Sequence, residues 1–280
     1  VCSEVRKMLK DITLGQFFPG KSVLHKLDPR IKLIACIAYI VGIFLCKSVV
    51  SYAVLIAATV FLMVISQLPV KTVLKGIKPI VFIILFTAVL NIFWHSGEMV
   101  LFSFWRITVY REGVISAVYM VVRIISLVIG TSIILTYTTS PIALTDAIER
   151  LLSPLRVIKV PVHEFAMMMT IALRFIPTLI EETDKIMNAQ KARGSDFSTG
   201  SLVSRAKALV PVLVPLFISS FRRADELAVA MECRCYRGGK GRTRMTQLHL
   251  AARDFIFMFC IAAFIAVVIL INRFLPFFIV

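Results

Sequence analysis

The sequence predicts an all-α, polytopic membrane protein with about five transmembrane helices and a basic helical module in the cytoplasm. Composition is the first observation behind that expectation. Of 280 residues, 59% are hydrophobic and only 17% charged, and mean hydropathy is +0.88. Soluble domains average about 45–50% apolar and about 25% charged residues, and a soluble chain this apolar would expose patches that aggregate. The second observation is a series of apolar runs close to the ~20 residues that a helix needs to cross a bilayer. The third is the placing of the charge. The formal net charge is +16, but the basic residues sit between apolar runs, as the positive-inside rule and an anionic inner leaflet require. A nucleic-acid partner is therefore not expected; the partner these charges indicate is the lipid membrane.

Taken in order, the chain opens with Arg6, Lys7, Lys10, Lys21, Lys26, Arg30 and Lys32. The first thirty residues lack an apolar h-region, so no cleaved signal peptide is expected. Candidate spans cover residues 31–46, 49–68, 79–94, 113–138 and a final run from about 255. The first and third are short and must borrow flanking residues. The connection after the first holds only Lys47, and the next holds Lys71, Lys75 and Lys78. The third, from His95 to Glu112, balances Arg106 and Arg111 against Glu98 and Glu112. Basic and neutral loops alternate, which places the N-terminus in the cytoplasm and returns the chain there after Thr138. Three regions follow: residues 1–139 (N-terminal segment and four spans), 140–253 (cytoplasmic module) and 254–280 (last span).

Within the module, Ser140 and Pro141 are a good N-cap and N1 pair for a short helix over 142–152, ended near Pro154. A long helix is expected from Val162 towards Ala192, with Phe165, Met168, Met169, Ala172, Ile176, Leu179, Ile180, Ile186 and Met187 near one stripe. Residues 165–180 cover only about 24 Å as a helix and include Arg174 and Pro177. The stretch 210–221 is also short and holds Pro211 and Pro215. Both are expected to lie against or just under the membrane.

Two rods end alike. One runs from Pro177 to Ala192-Arg193-Gly194, the other from Pro215 to Cys233-Arg234-Cys235, each with a proline near its start and an arginine between small residues. Small neighbours let another surface approach, and the guanidinium fork makes paired, directional bonds to carboxylates or carbonyls. The plainer alternative is that both are helix ends where the dipole favours arginine; the residues alone leave both open.

Other candidates carry less. Residues two apart on a helix point about 200° from each other, so Cys233 and Cys235 are expected to pack rather than hold metal. The cysteines at positions 2, 36, 46, 233, 235 and 260 do not form a disulfide scaffold. Gly238-Gly239-Lys240-Gly241-Arg242-Thr243 lacks phosphate-loop spacing, so the chain itself is not expected to bind ATP. His25, His95, His163 and His249 have no metal spacing. Arg123, mid-span, is expected to pair with carbonyls or polar groups of other helices. Asp28-Pro29-Arg30 sets a turn and charge before the first span.

Over nearly its whole length the chain resembles the transmembrane T component of energy-coupling factor (ECF) transporters, the EcfT/CbiQ family. The resemblance rests on Gly20-Lys21-Ser22-Val23-Leu24-His25-Lys26-Leu27-Asp28-Pro29-Arg30-Ile31-Lys32, Thr138-Thr139-Ser140-Pro141 and Leu173-Arg174-Phe175-Ile176-Pro177. It continues in Ala189-Gln190-Lys191-Ala192-Arg193-Gly194, Ala230-Met231-Glu232 and Tyr236-Arg237-Gly238-Gly239.

It implies a multi-pass scaffold in a prokaryotic cell membrane, set between two ABC ATPase subunits and a small substrate-binding membrane subunit (S component) for a vitamin or metal ion. The chain would be a non-catalytic subunit with no cofactor of its own, ATP and Mg being bound by the partners. Ala192, Arg193, Gly194, Cys233, Arg234 and Cys235 would dock the ATPases. The coupling helices would hold the S component through Met168, Met169, Ala172, Ile176, Leu179, Val214, Leu216 and Phe217, and Asp28-Pro29-Arg30 would brace the module. The second arginine motif departs from the family, with Cys233 and Cys235 in place of Ala and Gly. A non-glycine residue in the left-handed conformation costs roughly 1 kcal/mol, so the second helix is expected to continue past Cys235 and to be capped near Gly238 or Gly239. The alternative function, a self-contained secondary transporter, predicts paired acidic residues at the midplane, and the predicted spans contain no Asp or Glu.

Overall fold

The structure is a computed structural model that describes residues 17–20, 22–94, 100–104, 107–195, 201–238 and 249–274. Arg6, Lys7, Lys10, Lys21, His95, Glu98, Arg106 and the stretch 239–248, including Gly239 and Lys240, lie outside the described residues. The chain divides into two compact units, Phe17–Ser140 with Leu248–Val280 in one and Pro141–Gln247 in the other.

In the first unit, helices α1 (Pro29–Leu45) and α2 (Val49–Ser66) follow one another and pack chiefly against later helices of the unit rather than along each other. Asp28 caps α1, its Oδ1 accepting from the Arg30 N–H at 2.9 Å, and Pro29 occupies the first turn, where its missing N–H costs nothing. The lysine-bearing connection after α2 is itself helical. Helix α3 (Val70–Ile77) buries Val73 and Ile77 and leaves Lys71 and Lys75 exposed, the pattern of a helix lying at an interface. It meets α4 (Val81–Trp94) at a bend of 58°. The third connection holds an antiparallel hairpin, β1 (Val100–Phe104) and β2 (Ile107–Tyr110), paired Phe104 to Ile107 at its turn. The sequence predicts no strands there; the fold is helical around this one short ribbon among the described residues.

Helix α5 (Arg111–Thr131) follows, and Ser132–Tyr137 widens into a π-helical segment. The last helix of the unit, α9 (Ala252–Phe274), packs along α1, and α4 packs along α5. The core is centred on Tyr39, Ile43, Leu55, Ile133, Ile134 and Tyr137. Gly130 allows α1 and α5 to approach closely, because a Cβ there would lie 2.2 Å from the Tyr39 ring. The Tyr39 hydroxyl is satisfied by Thr59 Oγ1 at 2.9 Å and by the Ser126 carbonyl at 3.2 Å.

Buried charge is held by named partners. Asp254, at the start of α9, accepts from the Asp28 N–H at 2.9 Å and the Ala251 N–H at 2.7 Å. Lys32 is 2% exposed, and its ammonium donates to the Thr138 carbonyl at 2.8 Å. The Asp28-Pro29-Arg30 turn is thereby tied to the last helix across 226 residues.

The second unit contains α6 (Pro141–Leu151), α7 (Val162–Ala192) and α8 (Leu202–Cys233). Helix α6 starts at Pro141 and stops short of a 3-10 turn over Ser153–Ile158, in keeping with the expected stop near Pro154. It is fastened to α7 by the His163 Nδ1 contact with Glu149 Oε1 at 2.9 Å. By length and apolar content α2, α5 with its π-helical end, α7 and α9 are able to cross a membrane, and the bent α3–α4 pair makes a fifth if counted as one span. Helix α7 is the least apolar of these and carries Arg174 and Pro177 in its middle.

Candidate docking site at two arginine-bearing helix ends

Helices α7 and α8 are antiparallel neighbours. Gln190 Nε2 donates to the Pro211 carbonyl at 3.4 Å, and Arg223 pairs with Glu182 at 2.9 Å. Beyond the end of α8, Gly238 lies beside Glu164 in the first turn of α7. The C-terminus of each helix therefore lies near the N-terminus of the other. With 31 residues in α7, the two C-termini are separated by on the order of 40 Å at 1.5 Å per residue.

Those two ends have the same construction. At the first, Gly194 takes a left-handed φ of 89°, its N–H bonds the Lys191 carbonyl at 2.9 Å, and the Ser195 N–H bonds the Gln190 carbonyl at 3.0 Å. At the second, Cys235 takes φ 56°, its N–H bonds the Glu232 carbonyl at 2.9 Å, and the Tyr236 N–H bonds the Met231 carbonyl at 3.0 Å. This pair of bonds is the Schellman closure, which satisfies carbonyls the last helical turn leaves open. Arg193 and Arg234 hold the equivalent position, the cap residue immediately before the left-handed one. Both are exposed, as are Ala192, Gly194, Cys233 and Cys235.

The second end corrects the expectation that α8 continues to Gly238 or Gly239. Helix α8 stops at Cys233, and Cys235 adopts the conformation that glycine was expected to supply further on. The cost of roughly 1 kcal/mol is offset by two backbone bonds, each worth about 1 kcal/mol net. Tyr236 and Met231, the positions that commonly touch in this motif, are both half-buried. Their counterparts at the first end are Ser195 and Gln190. Gly238 is also left-handed, at φ 83°, and so turns the chain after the helix end.

The prolines correct a second expectation. Pro177 lies inside α7, and Pro211 and Pro215 lie inside α8, so none of them starts a rod. Pro215 has no N–H for the carbonyl four residues earlier, which belongs to Pro211, and Gln190 of α7 donates to that carbonyl. Sequence reasoning placed Gln190 in a motif without seeing this role, and it missed the Glu182–Arg223 pair and Asp254; no local pattern marks any of them.

Along the pair, Met168, Met169, Ala172, Ile176, Val214 and Phe217 are exposed, while Leu179 and Leu216 are half-buried. Phe217 remains 64% exposed and Met168 61%. The apolar face extends beyond the expected residues to Leu209, Val210, Leu213, Ile218 and Phe221. Cys233 and Cys235 are free and exposed, so they do not pack in the interior as expected.

A helical multi-pass membrane protein with a separate, largely unburied apolar helix pair belongs to the class of membrane subunits that work against other surfaces. Residues 20–247 match the CbiQ family, described as cobalt transport protein. The chain is 56% identical over 264 residues to the energy-coupling factor transporter transmembrane protein EcfT of Clostridium kluyveri, covering 94% of this chain and 97% of that one. It is 54% identical to EcfT of Ruminiclostridium cellulolyticum (95% and 98% covered) and 46% identical to EcfT of Bacillus subtilis (88% and 93% covered). The chain belongs to this CbiQ/EcfT family, the transmembrane components of energy-coupling factor transporters.

Proposed function

We propose that the chain is the non-catalytic scaffold through which two ATP-binding-cassette ATPases drive a small substrate-binding membrane subunit during uptake of a vitamin or metal ion. ATP and Mg belong to the ATPases. Arg193 and Arg234 each enter a groove on one ATPase, and the exposed face of α7 and α8 carries the substrate-binding subunit. ATPase closure changes the distance between the two tips, and the helix pair passes that movement to the bound subunit. The N-terminus and the second unit are cytoplasmic, in a prokaryotic cell membrane.

The observation that carries this reading is the repeated cap geometry. One guanidinium at each end of an antiparallel pair, on the same backbone position, suits two copies or two close relatives of one partner. Charge-assisted hydrogen bonds are worth about 1.5–3 kcal/mol, so each arginine would contribute roughly ten- to a hundredfold to docking. The test is co-purification of the ATPases with the wild-type chain and with Arg193→Ala, Arg234→Ala and the double substitution. Progressive loss of the ATPases at unchanged membrane insertion supports the reading. Unchanged recovery and transport in the double variant removes it.

A further inference from the structure

The connection between α1 and α2 frames a polar cavity of about 340 Å³ lined by Lys47, Tyr52, Asn91, Ser116, Tyr119, Met120 and Arg123. Two of these side chains are cationic and none is a carboxylate. Arg123 arises mid-way along α5, but side chains on a helix lean towards its N-terminus, and this one reaches the level of the connection. There its Nη2 donates to the Cys46 carbonyl at 3.2 Å and to the Tyr52 hydroxyl. The guanidinium carbon lies 5.7 Å from the centre of the Tyr52 ring. These partners are neutral, and the buried Arg123 Nε has no hydrogen-bond partner among the described residues.

A half-buried guanidinium with only neutral acceptors has a charge that the protein leaves without a counter-charge, and Lys47 in the lining of the same cavity adds a second. An anion in the cavity would supply a counter-charge to both cations, reaching the guanidinium at its accessible edge rather than at the buried Nε. Asn91 and Ser116 extend the polar lining between α4 and α5, with Ser116 Oγ donating to Asn91 Oδ1 at 3.4 Å.

The setting indicates where the anion comes from. Residues 46–48 join α1, which the sequence reads as a short span, to α2, which is long and apolar enough to cross, and a membrane edge at this connection would put the mouth of the cavity among headgroups. Beside Asn91 the wall of α4 exposes Phe86, Leu90, Phe93 and Trp94, an apolar and aromatic surface of the kind that sits against acyl chains and headgroups. We propose that the cavity binds the phosphate of an anionic membrane lipid, held by the Arg123 guanidinium and the Lys47 ammonium, with its acyl chains along α4. Free phosphate offers the same chemistry without the chains. The site is independent of the arginine-bearing helix ends and of the ATPase reading.

The test uses the full-length chain in a neutral detergent, followed by its thermal unfolding midpoint. Short-chain phosphatidylglycerol, phosphatidylcholine of equal chain length and sodium phosphate are titrated separately. A ligand that binds only the folded state raises the midpoint in proportion to its occupancy. Phosphatidylglycerol is expected to raise it by several degrees and the other two by much less. Lys47→Gln, at an exposed position that should fold normally, is expected to lose at least half of the shift. Arg123→Lys, which keeps charge but loses the fork, is expected to lose most of it, while Lys75→Gln on α3 leaves it intact. An equal response to phosphate assigns the site to free anion and overturns the lipid assignment. No shift with phosphatidylglycerol, or the same shift in Lys47→Gln and Lys75→Gln, overturns the site.

Discussion

The two ends of the α7–α8 pair reach one geometry from different sequences. Gly194 supplies the left-handed residue after Arg193 with no side chain to strain, and a Cβ at that point would meet nothing within 4 Å. After Arg234 the same conformation falls on Cys235, which bears a Cβ cost, and the flanking pair changes from Ser195 and Gln190 to Tyr236 and Met231. What the two ends share is therefore not a residue pattern. It is a cap position that leaves the arginine exposed, with its backbone held by the last helical turn. Glycine is one route to that cap, and a cysteine with a half-buried apolar flank is another, the two backbone bonds being common to both.

The largest effect expected from breaking the comparison comes from the arginines themselves. If the ends are functionally equivalent, Arg193→Ala and Arg234→Ala each weaken ATPase docking by roughly ten- to a hundredfold, and the double substitution abolishes uptake by the assembled transporter. A binding assay in which only one substitution has an effect would show that the shared geometry serves two different purposes.

Next in size is a labelling experiment. Cys233 and Cys235 flank Arg234 as exposed free thiols; Cys36 and Cys46 are buried, and Cys260, exposed on α9, is replaced by serine together with Cys2 so that the pair alone is read. A membrane-impermeant maleimide should modify the pair in inside-out vesicles and not in right-side-out ones. Bound ATPase should protect the pair by tenfold or more. Modification from the outer face would place this end on the wrong side of the membrane for docking.

Smaller changes test the caps. Gly194→Ala places a Cβ at φ 89° and should cost about 1–2 kcal/mol, seen as faster hydrogen exchange at the Ser195 amide. Cys235→Gly relieves the corresponding strain but raises the entropy of the unfolded chain, so its net effect should lie within about 0.5 kcal/mol. Equal and large effects at both positions would mean that the apolar flank of the second end contributes nothing. The smallest effect is expected at Glu182→Gln. It breaks a pair whose side chains remain about a third exposed, worth about 0.5 kcal/mol or less and weakened by salt. Thermal unfolding at low and high ionic strength would detect it.

Much of this architecture was legible beforehand. The expected long helix from Val162 towards Ala192 coincides with α7, because a stripe of apolar residues and a terminal Arg-Gly are local signals. The 79–94 segment is legible in the sequence, but its helical lead-in is not: three lysines in a short stretch look like a loop until Val73 and Ile77 find a surface to bury against. Cys235 departs from expectation because propensity counts the strain at one residue and not the burial of the residues that flank it. Arg123 was expected to find polar partners, and it does. That they stand at the edge of α1 and α2 could not be known from its position mid-way along its own helix.

Hydropathy and charge are properties of consecutive residues, so the sequence by itself marked most of the stretches that suit lipid, with α1 shorter and α7 longer and more apolar than expected of them, and which rods carry an arginine at the tip. Tertiary structure decided the rest: where α8 stops, which carbonyl Gln190 serves, how Asp254 meets the Asp28 turn, and which cations share a cavity. Each of these depends on atoms brought together by packing from distant parts of the chain. Their energies arise only when those atoms meet, and no window along the sequence contains them.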